Sequence, residues 1–199
     1  MKNLKNFKTI SIFAFSLLLI SCSKSDEPVA VTPINTIAPV QDPLNGFLEV
    51  SGLNQKNDIY LNNIDREVGF SFIPIVNGKI TAILVKIPDT RTALKVTIWS
   101  KTNPSIIRSE TIDITSSGVE TTKIISPINL IKDTEYVISM NSNDYYVRSR
   151  TNGSNITYPF IVGDIKVTDA LERNGADQII PITRSLNIYA GDCSFKFQK

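Results

Sequence analysis

The chain has 199 residues, 42% of them hydrophobic and 20% charged, with nine Gly, ten Pro, two Cys and no His. That composition excludes collagen-like, disulfide-dense and intrinsically disordered classes, and the lack of His removes Ser-His-Asp and Cys-His nucleophiles and every His-ligated zinc site. The formal charge of +2 is also deceptive: without Lys2, Lys5 and Lys8, which fall in a segment expected to be removed, 18 basic residues face 19 acidic ones, so the body has no electrostatic reason to hold nucleic acid or anionic lipid. Residues 1–21 read as a secretory signal. Lys2, Lys5 and Lys8 form a basic start, and Thr9 to Ile20 form an apolar core. Twelve residues span only about 18 Å as a helix, short of the ~30 Å hydrocarbon layer, so a cleaved signal is expected rather than a transmembrane anchor.

The core ends in Leu19-Ile20-Ser21-Cys22, which resembles a bacterial lipobox. The resemblance implies diacylglycerol on the Cys22 sulfur, cleavage before it, and acylation of the freed amine with a fatty chain such as palmitate; two or three chains give stable anchoring where one does not. Ser23-Lys24-Ser25-Asp26-Glu27 follows, and it is similar to the acidic export tag of surface lipoproteins in Bacteroidetes-type bacteria. The implied location is the outer membrane, facing the cell exterior, with the periplasmic leaflet as the alternative. Pro28, Pro33, Pro39 and Pro43 then mark residues 22–43 as the acylated Cys plus a Pro-rich tether biased toward extended conformations. The 156 residues 44–199 remain for a single domain with a substantial core.

That domain reads as all β. Val68, Phe70 and Phe72 alternate with Glu67, Gly69 and Ser71, the period of a strand with one buried face. Asn77-Gly78 predicts a tight hairpin. Ile80 to Ile87 is apolar on both faces, as a doubly covered central strand requires. Further strands are expected at Leu94–Trp99, near 106–114 and 120–125, at Glu135–Met140, near 145–149, at Ile165–Thr168, near 186–190 and at Cys193–Phe197. Only Ala170-Leu171-Glu172-Arg173 suggests a helical turn. The expected solution is an antiparallel two-sheet β-sandwich, jelly-roll or immunoglobulin-like.

Three stretches carry a second resemblance: Asn77-Gly78-Lys79-Ile80-Thr81-Ala82, Val96-Thr97-Ile98-Trp99-Ser100, and Ser117-Gly118-Val119 through Asp133-Thr134-Glu135-Tyr136-Val137-Ile138-Ser139. Residues of about 70–148 resemble a bacterial β-sandwich domain of unknown function that is appended to secreted glycan-active and adhesive proteins. That family has Trp where Val119 stands. The resemblance implies fold, and by association a binding role; it brings no catalytic residues.

Candidate ligand groups cluster in Asn141 to Arg150. Tyr145 and Tyr146 point to opposite faces of a strand, so at most one is expected in the core. Asn143, Asp144, Arg148 and Arg150 offer the paired donors and acceptors that vicinal hydroxyls need, and Asn152, Asn155 and Tyr158 extend the surface. The plainer reading is a hairpin loop whose Asn, Ser and Asp serve turn geometry. Trp99 alternates with Leu94, Val96 and Ile98; exposed, it would stack on a sugar ring, and otherwise a loop or the N-terminal segment covers it. Asn141, Asn143 and Asp144 have oxygens suited to a structural calcium but not the spacing of a dedicated loop; no other cofactor is implied. Cys193 reads as a small buried hydrophobe. The expectation is a non-enzymatic, lipid-anchored surface module binding an extracellular glycan, or alternatively a structural or assembly subunit of a surface complex or adhesin.

Overall fold

A computed structural model describes residues 39–199; the signal segment, Cys22 and the tether up to residue 38 lie outside the described residues. The elements run α1 (Pro43–Ser51), β1 (Lys56–Pro74), β2 (Gly78–Lys86), β3 (Arg91–Ser100), β4 (Ser105–Ile114), β5 (Thr121–Leu130), β6 (Tyr136–Ser149), β7 (Phe160–Val162), β8 (Ile165–Asn174), β9 (Thr183–Ser185), β10 (Ile188–Ala190) and β11 (Asp192–Gln198). They form an all-β sandwich of two antiparallel sheets. The larger has eight strands in the order β4-β3-β6-β1-β8-β7, with β10 beside β6 and β9 beside β8; the smaller is β11-β2-β5.

The alternation seen in the sequence builds the core. Val68, Phe70 and Phe72 of β1 face inward with Leu94, Val96 and Ile98 of β3, and all six are fully buried. Opposite them stand Ile80, Ile83, Val85, Phe195 and Phe197 of the smaller sheet. Phe195 joins the layers, its ring centroid 4.6 Å from Phe72 and 6.1 Å from Phe70. β2 is central and covered on both faces, as expected: Leu84 on its outer side is as buried as Ile83 on its inner side. The sides of the sandwich are closed by different means. Lys123 of β5 donates to Thr111 O of β4 at 2.8 Å and pairs with Glu110, while α1 lies along β11 and β7.

Three expectations are corrected. The first concerns residues 43–51, which form a helix although the sequence suggests a helical turn only at Ala170–Arg173. Asp42 caps it through Leu44 N, Pro43 opens it, and Gly52 closes it at φ 72° with its N–H on Glu49 O. Leu44, Phe47, Leu48 and Ser51 are buried on one face, an i, i+3, i+4, i+7 pattern. Asn77-Gly78 is not a hairpin: it carries the chain from the larger sheet to the smaller. Gly78 is needed for close approach, because a Cβ there would lie 2.3 Å from the Phe197 ring. Ala170–Arg173 is strand, not helical turn; β8 is paired on both sides, with β1 and β9, and buries Ala170 and Leu171 on opposite faces.

The domain's contacts also extend before Leu44. Gln41 makes a two-way backbone bridge with Phe197, both bonds 2.9 Å, and its side chain accepts from Asp164 N at 2.8 Å.

Candidate functional site

β6 sets the geometry of the polar run read from the sequence. Strand alternation puts Asn143 and Tyr145 on one side and Asp144, Tyr146 and Arg148 on the other. Tyr145 turns into the core, 1% exposed, and stacks on Tyr60 at 4.9 Å; burial pushes its phenol up to about 12. Tyr146 is buried as well, so the two tyrosines point to opposite faces yet neither is free. The Lys86 ammonium and the Arg148 guanidinium lie 5.5 and 5.3 Å from the Tyr146 ring centre.

Arg148 is the member of this run that reaches a cleft. Its Nε donates to Asp192 Oδ1 at 2.9 Å and its Nη2 to Asp192 Oδ2. The cleft holds about 140 Å³ between α1, β2, β11 and the 115–120 turn. Leu44, Leu48 and Leu84 make an apolar floor; Asp42, Asn45, Lys86 and Glu120 stand around it, with Arg148, Asp192 and Ser194. Ser194 Oγ donates to Asp42 Oδ1 and receives Leu44 N–H at 3.3 Å. Glu120 makes no side-chain hydrogen bond or ion pair among the described residues. Partial burial, and then the Asp42 carboxylate, hold its carboxyl above the usual range.

The other predicted site residues are engaged elsewhere. Asn143 accepts from Arg91 at 3.0 Å and donates to Asn62 O at 3.0 Å. Asp144 accepts the Asp89 N–H at 2.9 Å, and burial raises its carboxyl. Arg150 braces the end of α1, its Nε donating to Ser51 O at 2.8 Å and its Nη1 to Ser154 Oγ and Asn155 O at 3.2 Å. Tyr158 packs on Phe47 and Phe160, and Asn152 serves a turn through Ser154 N. Trp99, 4% exposed, is not a stacking platform: its Nε1 donates to Ser139 Oγ at 2.9 Å, with Ile180 packed beside it. Asn141 donates to Gly175 O. No three acidic or Cys side chains converge among the described residues.

Cys193 is fully buried, and burial holds its thiol far above the usual range. In a Cys22→Ser chain, a thiol reagent is expected to label nothing until denaturant is added; labelling of the native protein would contradict this packing.

Fold and cleft define an all-β sandwich module with a polar cleft at the seam of helix and sheet. Residues 56–176 match the family described as a domain of unknown function (DUF4082), and the chain belongs to that family. The match is wider than the 70–148 expected from the sequence and covers β1 to β8. α1 and β9–β11 lie outside it, so the cleft joins family residues (Leu84, Lys86, Glu120, Arg148) to flanking ones (Asp42, Leu44, Asn45, Leu48, Asp192, Ser194). No curated protein matches the chain.

Proposed function

We infer that the protein is a lipid-anchored cell-surface module that binds a terminal sugar unit of an extracellular glycan in this cleft. The supporting observation is the pairing of an apolar floor (Leu44, Leu48, Leu84) with a rim of carboxylate, amide and ammonium groups. A pyranose presents the same two chemistries, a C–H face and an equatorial ring of hydroxyls. The volume lies below the ~300 Å³ of drug-sized sites, which suits one ring and not an oligosaccharide. The lipobox and acidic tag support attachment through Cys22 to the outer membrane, facing outward. No catalytic role is assigned to the cleft: Arg148 is held by Asp192 and Ser194 by Asp42.

Calorimetric titration with mono- and polysaccharides tests this reading. Saturable heat is expected with one sugar class. Asn45→Ala, which also removes the 2.9 Å hydrogen bond from Asn45 to Asp42 Oδ2, and Glu120→Gln should each weaken it ~10-fold or more, the value of one charge-assisted hydrogen bond, and Glu120→Gln should do so without moving Tm. A silent panel, or variants that bind like wild type, would overturn it. Trp99 fluorescence is a poor reporter here, because its indole is buried away from the cleft.

A second reading, docking to a protein partner in a surface assembly, is favoured by one observation. The first half of β1 pairs with β6 alone, and it carries Ile59 and Leu61 at 64% and 69% exposure. An exposed strand edge of that kind accepts another strand.

A further inference from the structure

The outer face of the larger sheet is polar, as its alternation requires, yet much of it is buried. Glu67, Ser71, Thr97 and Ser139 are each no more than 1% exposed. The segment 175–182, between β8 and β9, crosses this face. Gly175 O takes the Asn141 amide at 3.2 Å. Gln178 Nε2 donates to Thr97 Oγ1, and to Ser109 Oγ at 2.7 Å. Ile180 packs on Trp99, Val137 and Leu171. These few tethers hold a strap that is otherwise irregular and exposes Ile179 and Ile182.

At the centre of the covered face is Glu67. Its Oε2 accepts from Ser139 Oγ at 2.7 Å, and Ser139 in turn accepts the Trp99 indole N–H. Its Oε1 is buried without a hydrogen-bond partner. A buried carboxylate needs several donors to replace water; this one has the Ser139 hydroxyl and shares the Asn141 amide with Gly175 O. The groups around it do not make up the difference by an ion pair. β3 brings Lys95 and β8 brings Arg173 in register with Glu67. β6 brings Asn141, the strap carries Asp177, and β4 offers Ser109 and Thr111. Asp65, two residues back on β1, is already paired with Arg91.

We propose that the 175–182 strap is a pH-gated cover latched by the neutral carboxyl of Glu67: when Glu67 loses its proton the strap lifts, and the Trp99–Ser139 face beneath it meets solvent. Burial pushes Glu67 up to about 6, against the lowering pull of Ser139, Asn141 and Lys95. The closed form therefore holds the proton more tightly than the open one. Rising pH favours opening from near the ordinary value of 4.5, and the effect is complete above 6. The difference between those two values corresponds to a shift of up to ~30-fold in the opening equilibrium.

The chain has one Trp, so its indole N–H is a single resonance and reports this face directly. The experiment is solvent exchange of that proton in the intact protein from pH 4.5 to 7.5, corrected for intrinsic exchange, beside the backbone amides of β2. Trp99 is expected to exchange faster than the β2 core. Its protection should fall by up to ~30-fold with rising pH, and Glu67→Gln should flatten that slope. Protection that does not change with pH in the wild type overturns the proposal, whatever the variant does. So does Trp99 exchange no faster than the β2 amides, which would mean that the face opens only when the whole domain unfolds.

Discussion

Gly69→Ala is expected to destabilise the domain by at least ~3 kcal/mol, near the upper end for overpacking. Gly69 lies in the middle of β1, flanked by β6 and β8. A Cβ built there falls 2.0 Å from Ile138 O and 2.8 Å from Ser139 Cα. Both are backbone, so no side-chain rotamer relieves the clash; β1 and β6 must part where Val68 and Phe70 hold the core. Domain stabilities of 5–15 kcal/mol leave little margin for that. Urea denaturation checks it, with Gly153→Ala as control: nothing lies within 4 Å of a Cβ there, and only the left-handed φ of 64° resists, worth ~1 kcal/mol. Two equal midpoints would show that the strands separate more easily than this geometry allows.

Arg148→Ala and Asp192→Ala are each expected to cost ~3–5 kcal/mol, because either change strands a buried charge. The side chains are 16% and 7% exposed and joined by two hydrogen bonds. The cost should be strongly non-additive: the double substitution should cost far less than the sum of the singles, and an apolar pair of similar volume should approach wild type. Chemical denaturation of the four-member cycle gives the coupling directly. Additive losses would mean that the two groups are solvated separately. The pair also walls the cleft, so a binding defect in either single variant would be confounded with stability. Glu120, on the rim and outside this pair, is the residue that separates the two effects.

The strands were legible because period-2 alternation survives wherever a sheet has one buried face. It placed Phe70, Val96, Ile98, Ile138 and Phe195 on their correct sides. Alternation says which face a side chain takes but not what covers that face. Trp99 does lie opposite Leu94, Val96 and Ile98; its cover comes from residues near 180, a pairing no local pattern reveals. Asn77-Gly78 misled because the hairpin signal is local, whereas Gly78 answers to Phe197 at the far end of the chain. For α1 the signs were present in Asp42-Pro43, the 44/47/48/51 spacing and Gly52, but a helix of nine residues is easily outweighed by a β-rich neighbourhood. The cleft was the least legible feature. Arg148 stood out in a polar run, while Asp42 and Asn45, Glu120, and Asp192 come from three further segments and meet Arg148 only through the topology.

The bridge between Gln41 and Phe197 gives the domain a distinctive way of bearing load. Tension applied to the chain before residue 41 enters the fold at the strip where Gln41 is zipped to the last strand, and it is carried next by Asp42, which both caps α1 and borders the cleft. A ligand seated there would be pulled along a path only a few residues long, through α1 and β11, with β6 joined to that path by the Arg148–Asp192 pair. The strip that meets the tether first, α1 and β11, is thus the part of the domain outside the family match.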